Sequence, residues 1–80
     1  MKTTLETIEQ MMNHKLTRQE SRVFLEIHKA ASEDGNAFID HEGIRKKLGM
    51  SQSSLSYALK CLAKKEVIDR IGRNKAKLSF

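Results

Sequence analysis

Residues 51–65, SQSSLSYALKCLAKK, decide the fold of this chain. Within them Leu55, Leu59 and Leu62 recur at i, i+4 and i+7, which is a single apolar stripe at the period of an α-helix. Ser51 is a natural N-cap, because its hydroxyl can accept a hydrogen bond from a free backbone N–H of the first turn. The stretch therefore predicts a helix with one apolar side that faces a core.

The opposite side of this predicted helix carries hydroxyls, an amide, a phenol and ammonium groups, without an acidic side chain. Its members are Gln52, Ser53, Ser56, Tyr57, Lys60 and Lys64. Such groups can approach base edges and phosphates closely. The sequence thus predicts a helix that enters a nucleic-acid groove.

A short helix is expected immediately before this one. Asp40 can cap a helix over residues 41–48, and Gly49 supplies the left-handed residue that ends it. Two helices joined by a tight turn that contains Gly, the second with a polar outer side, are the sequence form of a helix-turn-helix.

A hairpin with a charged tip is expected after the long helix. Residues 67–71 are a β-branched run, residues 72–75 are basic and typical of a turn, and residues 76–80 alternate apolar with polar.

Residues 38–80 resemble the winged helix-turn-helix family, and most closely its MarR-like members. The resemblance rests on Leu48-Gly49, on the Ser51-x-Ser-Ser-Leu-Ser-Tyr-Ala-Leu-Lys-x-Leu62 pattern, and on the Lys64–Ile68 connector that leads into a basic wing. Family members often carry Arg where Tyr57 stands in this chain. The resemblance implies that the edge strand expected at residues 37–39 pairs with the wing.

Two further helices are expected ahead of this unit. Thr3 with Glu6 and Thr17 with Glu20 each have the form of a capping box. The first helix is expected to run to about Asn13. The second is expected to end near Gly35 and to support both helices of the reading unit through an apolar face of Val23, Phe24, Ile27, Ala30 and Ala31.

The predicted fold class is mainly α with a small antiparallel β wing (α+β), in the order α-α-β-α-α-β-β. We expect one domain over residues 1–80, with an N-terminal helix in residues 1–14 and the DNA-reading unit in residues 38–80. Phe38 and Ile39 are expected to close the core. For the first helix two possibilities stay open, which are packing within the chain and a homodimer through Leu5, Ile8, Met11 and Met12.

Charge is distributed unevenly along the chain. Residues 1–42 hold five Lys or Arg against eight Asp or Glu, a net charge of −3, whereas residues 43–80 hold ten against two, a net charge of +8. This asymmetry is typical of a surface that binds phosphates. Arg18, Arg22 and Lys29 can also reach phosphates, but the acids of the same helix favour a solvated face.

An enzyme is not expected, because no motif concentrates an acid, a base or a nucleophile, and we expect no cofactor. His14, His28 and His41 are far apart in sequence, which favours surface or core histidines over a metal site. The lone Cys61 is expected to be a partly buried structural thiol rather than an oxidation sensor. No apolar run is long enough to span a bilayer, so we expect a cytoplasmic protein without a membrane partner.

Double-stranded DNA is the favoured partner, bound by a transcriptional regulator that uses the 51–65 helix and a basic wing. The candidate DNA-binding residues are Arg45, Lys46, Lys47, Ser51, Gln52, Ser53, Ser54, Ser56, Tyr57, Lys60, Arg73, Asn74, Lys75 and Lys77. One alternative is a single-stranded DNA-binding protein that assists replication or transfer of a mobile element, with Tyr57 as a stacking platform. Another alternative is a winged-helix module for protein interaction.

Overall fold

The computed structural model describes residues 3–80, which form a mixed α+β fold of four helices and one antiparallel sheet of three strands. The predicted order α-α-β-α-α-β-β is confirmed. The elements are α1 (Leu5–Asn13), α2 (Arg18–Ala30), β1 (Asn36–Phe38), α3 (His41–Leu48), α4 (Gln52–Lys64), β2 (Ile68–Gly72) and β3 (Lys75–Leu78). The first two residues of the predicted segment 1–14 lie outside the described residues.

Helix α1 begins one residue later than its capping pattern predicts. Thr4 is the N-cap, and its Oγ1 accepts a 3.2 Å hydrogen bond from the Thr7 backbone N–H, so the capping box predicted for Thr3 and Glu6 is wrong. The helix turns Thr7 and Met11 toward the domain, where both are buried. Leu5, Ile8 and Met12 of the same helix face outward.

Helix α2 begins with the predicted capping box. The Glu20 carboxylate accepts a 2.8 Å hydrogen bond from the Thr17 N–H, while Thr17 Oγ1 accepts one of 3.2 Å from the Glu20 N–H. Burial raises the pKa of Glu20, but the hydrogen bonds from the Lys65 ammonium and the Thr17 backbone outweigh it and leave that pKa below its ordinary value. Glu20 therefore stays ionised and joins the start of α2 to the end of α4.

The same helix ends at Ala30, five residues short of the predicted end near Gly35. Residues 32–35 form a turn instead, in which the Ser32 N–H donates to the Asn36 carbonyl at 2.8 Å and Gly35 has a φ of +88°. The Asp34 carboxylate accepts a hydrogen bond from the Asn36 N–H at 3.2 Å. Side-chain acceptors of this kind compete with helix continuation, which the apolar period alone does not register.

Helices α3 and α4 meet at the predicted tight turn. The Asp40 carboxylate accepts a 3.1 Å hydrogen bond from the Gly43 N–H and caps α3, and Gly49 ends α3 in the left-handed conformation with a φ of +66°. Ser51 Oγ then accepts a 3.1 Å hydrogen bond from the Ser54 N–H and caps α4. Only Met50 separates the two caps, so the relative position of α3 and α4 is closely fixed.

The sheet has the order β1-β3-β2 and is antiparallel throughout. Ala37 lies opposite Ala76, and Ile68 lies opposite Leu78. A bulge between Arg70 and Gly72 precedes a two-residue turn. The predicted pairing of the edge strand with the hairpin is confirmed, with strand limits shifted by one residue or more.

The core lies between α2, α4 and the inner face of the sheet. Phe24 and Ile27 of α2 and Leu55, Leu59 and Leu62 of α4 are fully buried. Two predictions fail here, because Ala30 and Phe38 are exposed. Ala37 of β1 and Ile39, the residue that follows the strand, are buried, and the alternation of an extended chain turns the intervening Phe38 outward.

Two further side chains complete this core. His28 is buried, which lowers its pKa, and it packs against Phe24 with ring centroids 5.7 Å apart. The Phe80 ring packs on Phe24 at 5.1 Å and stacks on His14 at 5.3 Å, which joins Phe80 to α2 and to the end of α1. Within residues 3–80, no helix combines the length and apolar character needed to cross a membrane.

Candidate nucleic-acid interface

Helix α4 presents its polar side to solvent, as the apolar stripe requires. Gln52, Ser53, Ser56 and Lys60 are all exposed, while the leucines of the opposite side are buried. No acidic residue lies within α4, and its first turn in particular is free of acids. The exposed side of α4 can therefore approach an anionic ligand without repulsion from its own side chains.

The hydroxyl and amide groups at the start of α4 differ in whether they already form hydrogen bonds within the chain. Ser51 Oγ caps the helix and also donates to Ser54 Oγ at 3.0 Å, so these two hydroxyls serve each other and the backbone. The Gln52 amide nitrogen donates to Ser56 Oγ at 3.0 Å, which lays the Gln52 side chain along the helix. Of the four predicted serines, Ser53 has no hydrogen bond from its hydroxyl to another described residue.

Two of the three predicted cations of α3 are paired within the chain. Lys46 Nζ lies 3.1 Å from a Glu42 carboxylate oxygen, and Lys47 Nζ lies 3.0 Å from one of Glu26. Lys29 also binds Glu26, at 3.3 Å. Burial raises the pKa of Glu26, but the hydrogen bonds from Lys47 and Lys29 outweigh this effect and leave that pKa below its ordinary value. Lys47 thus fastens α3 to α2.

Arg45, the third cation, lines a cleft of about 470 Å³ between α3 and α4, together with His41, Lys46, Met50 and Gln52. The Arg45 side chain is half-buried, and its Nε has no hydrogen-bond partner among the described residues. The cleft is therefore bordered by side chains from α3, from the turn and from the start of α4.

The hairpin tip is held against the beginning of α3. His41 Nε2 donates to the Arg73 carbonyl at 3.0 Å, because a carbonyl can only accept, and Arg70 Nη2 donates to the same oxygen at 2.9 Å. The Ile39 N–H donates to the Asn74 carbonyl at 2.7 Å. Since His41 also lines the cleft with Gln52, these contacts place the hairpin tip, α3 and the start of α4 along one edge of the molecule.

His41 is the residue of this edge that sequence reasoning missed. The sequence suggests only a histidine without metal-ligand spacing, whereas the structure gives it a role as the link between α3 and the hairpin. The sequence offers no signal for this link, because the contact joins residues 32 positions apart and depends on where the hairpin packs.

The candidate residues of the hairpin differ in their surroundings. Arg73, Asn74, Lys75 and Lys77 are exposed. Lys77 lies opposite Asp69 on β2, so a carboxylate on the neighbouring strand reduces its local positive potential. Lys75 instead lies opposite Phe38 on β1 and Gly72 on β2, which leaves its charge unopposed.

Tyr57 lies on a different flank of α4 from Gln52. The two positions are five residues apart, which separates their side chains by about 140° around the helix axis. Tyr57 is 70% exposed and lines a cleft with Gln19, Cys61 and Lys64. A hydrogen bond with the Cys61 side chain raises the pKa of Tyr57, so its phenol is neutral at physiological pH. Gln52 and Tyr57 therefore bracket the exposed side of α4.

A second exposed aromatic side chain lies on the outer face of the sheet. Phe38 and Ile71 are each 60% exposed, and they line a cleft with Lys75 close to the hairpin turn. The sequence predicts a buried Phe38, so its availability for stacking was missed. The alternation of a three-residue strand was the signal, since only one of Ala37 and Phe38 can face inward.

The α1 residues expected at a homodimer contact separate into two groups. Met11 is buried within its own domain and is not available to a second copy, which corrects that part of the prediction. Leu5 and Met12 are each 71% exposed, and Ile8 is exposed as well. The dimer itself stays a prediction that now rests on these three side chains.

The part of the chain that the structure describes contains no group of three or more His, Cys, Asp or Glu side chains that could hold a metal ion. Cys61 is half-buried, as expected, and has no disulfide partner because it is the single cysteine of the sequence. Comparison of the chain with protein-family models, with curated proteins and with solved structures found no match.

Proposed function

We propose that this chain binds double-stranded DNA as a winged helix-turn-helix protein, with the N-terminal half of α4 in the major groove. The β2–β3 hairpin acts as the wing on a flanking groove or backbone. The observation that carries this proposal is the shared edge formed by the start of α4, α3 and the hairpin tip, linked through His41. The exposed cations Lys60, Arg73 and Lys75 have no described carboxylate within 4 Å.

Base recognition falls to the two flanks of α4. The Gln52 amide can pair with N6 and N7 of adenine once it leaves Ser56, and Tyr57 can contact a thymine methyl group or a phosphate. Ser53 and Ser56 approach phosphates and fix the register of the helix on the duplex. Transcription regulation is the biological output that we infer from such a reader.

Phosphate binding supplies the affinity that is independent of sequence. With about six phosphates neutralised by Lys and Arg, log K should fall with log salt at a slope of about −5. Lys46 and Lys47 contribute less than the sequence suggests, because each already has a carboxylate partner.

Fluorescence anisotropy with matched single-stranded and double-stranded oligonucleotides, each at several salt concentrations, tests this proposal. The duplex should bind more tightly with a steep salt slope, and the double variant Tyr57→Ala, Arg73→Ala should weaken it. Lys29→Ala is a suitable control, because Lys29 lies at the far end of α2 and pairs with Glu26. A wild-type protein that binds neither oligonucleotide would sink the proposal and favour a protein-interaction module.

A second candidate function, binding of single-stranded DNA, gains support from one observation. Besides Tyr57, a second aromatic side chain, Phe38, is exposed, and it lies beside Lys75. An aromatic ring next to an ammonium group suits an unpaired base and its phosphate. Phe38→Ala separates the two functions, because it should weaken single-strand binding several-fold and leave duplex binding by α4 unchanged.

A further inference from the structure

Two arginines of α2 share a surface cleft with the start of α4. Arg18 and Arg22 line this cleft of about 490 Å³ with Leu48, Met50 and Ser51, among others. Both arginines are exposed, and their spacing of four residues places them on the same side of α2. We call this feature, formed by Arg18, Arg22, residues 48–51 and Ser54, the α2–α4 cleft.

The positions of these arginines are unfavourable for the helix that carries them. Arg18 is the first residue of α2, where the positive end of the helix dipole favours an acidic side chain over a basic one. Arg22 adds a like charge at i+4, which also destabilises the helix. An anion bound in the cleft would offset both costs.

No carboxylate in the described part of the chain supplies that anion. Among residues 3–80, the ion pairs of Lys29, Lys46, Lys47 and Lys65 use Glu20, Glu26 and Glu42, and neither arginine takes part in one. Glu20, two residues from each arginine, is committed to Thr17 and Lys65. The positive charge of the cleft is therefore uncompensated within the described chain.

We propose that Arg18 and Arg22 bind backbone phosphates of the nucleic acid that α4 contacts, as a clamp on the side away from the hairpin. The ligand class is a phosphodiester, which a guanidinium can bind through two parallel N–H groups. Ser51 and Ser54 of the same cleft belong to the cap and first turn of α4, so the cleft is continuous with the proposed reading surface. This inference rests on the proposed function.

The arrangement extends that function in a specific way. Phosphates are held on both flanks of α4, by the hairpin on one side and by α2 on the other. The acidic N-terminal half of the chain thereby contributes to the binding surface, against the expectation from the charge distribution that its arginines lie on a merely solvated face.

The double variant Arg18→Gln, Arg22→Gln tests the clamp against Lys15→Gln, Lys29→Gln, which removes the same charge elsewhere. Anisotropy titrations on a duplex between 50 and 200 mM salt give the slope of log K. The clamp predicts a slope less negative by about 1.8 in the arginine variant, so its affinity loss over that range is about twelvefold smaller than that of the wild type. The lysine variant should keep the wild-type slope.

Thermal unfolding supplies a second readout, because Arg18→Gln should slightly raise the melting temperature in the absence of DNA. The single variants Arg18→Gln and Arg22→Gln, each with a slope change of about 0.9, replace the double variant if it fails to fold. Equal slopes for the arginine and lysine variants would overturn the clamp and leave duplex binding intact. A wild-type protein without affinity for duplex or single strand would overturn both proposals.

Discussion

The α2 side and the α4 side of this domain use charge in opposite ways. Along the junction of α2 with α3 and the end of α4, Glu20 and Glu26 hold Lys65, Lys29 and Lys47 in ion pairs. Along the exposed side of α4 and the hairpin turn, cations have no carboxylate within 4 Å among the described residues.

This difference shows that the net charge of a segment is a poor guide to how many of its cations can bind phosphate. The +8 of residues 43–80 overstates the surface available to phosphates, because Lys47 and Lys65 serve to hold helices together. Conversely, the −3 of residues 1–42 conceals two uncompensated arginines, Arg18 and Arg22. Whether a cation can bind a ligand depends on whether the fold pairs it with a carboxylate, and composition alone does not reveal that pairing.

The largest expected effect on stability comes from a substitution in the hydrophobic core on which both regions pack. Leu59 is fully buried on the side of α4 that faces the core, so Leu59→Ala should lower the free energy of unfolding by about 2–5 kcal/mol. Urea denaturation measures this loss. Lys60→Ala, at the exposed neighbouring position, is the control and should change stability by less than about 0.5 kcal/mol. Equal effects of the two substitutions would contradict the burial pattern of α4.

Loss of the ion pair between Glu20 and Lys65 should have the next largest effect on stability, because this pair joins α2 to the end of α4. Glu20→Gln keeps an acceptor for the Thr17 N–H but loses the charge that binds Lys65, so it should cost about 1–3 kcal/mol at pH 7. Glu33→Gln is a matched control, because Glu33 is exposed and makes no ion pair with a described residue.

The same pair predicts a pH dependence. The pKa of Glu20 is lower in the folded chain than its ordinary 4.5, so the unfolded chain binds more protons in the window below 4.5. Stability from this group is therefore present above pH 4.5 and is lost as the pH falls through the folded pKa. Denaturation curves of Glu20→Gln should show a smaller loss than the wild type between pH 4.5 and the folded pKa, and parallel losses would refute the assignment.

Two double variants that remove the same charge compare unpaired cations with carboxylate-paired cations in duplex binding. Arg73→Gln, Lys75→Gln removes unpaired charge from the hairpin and should reduce the salt slope of duplex binding by about 1.8. Lys46→Gln, Lys47→Gln removes cations that already have carboxylate partners and should change the slope by less than half as much. Anisotropy titrations decide between them, and a larger effect for the α3 pair would mean that DNA displaces Glu42 and Glu26.

Much of the fold was predictable because its signals are local. The caps at Asp40 and Ser51, the left-handed Gly49 and the leucine stripe of α4 each depend on residues a few positions apart. Where a prediction failed, a tertiary contact or a competing local bond decided the outcome. Phe38 faces outward because its sequence neighbours Ala37 and Ile39 face the core, and α2 ends early at the turn around Asp34.

The candidate site was predictable to a smaller extent. Residue type and helical period identify which side of α4 is exposed. They do not reveal the pairing of Lys47 with Glu26, the Asp69 opposite Lys77, or the link from His41 to the hairpin. Each of these depends on which elements come together, and that information lies outside the segment that carries the residue.

The smallest effect on stability should come from the outer side of α1. Leu5→Gln, Met12→Gln alters exposed side chains, so it should change the free energy of unfolding of the monomer by less than about 0.5 kcal/mol, whereas Met11→Ala should cost about 2–5 kcal/mol. A helix of nine residues is about 14 Å long, too short to bury by itself the 1,200–2,000 Å² or so that is typical of a stable interface. The predicted homodimer through this face should therefore be weak on its own, and sedimentation velocity should show a concentration-dependent equilibrium that the double variant shifts to monomer. A wild-type chain that stays monomeric at every concentration, with and without duplex, would leave the exposed face of α1 without a second copy and make the homodimer prediction wrong.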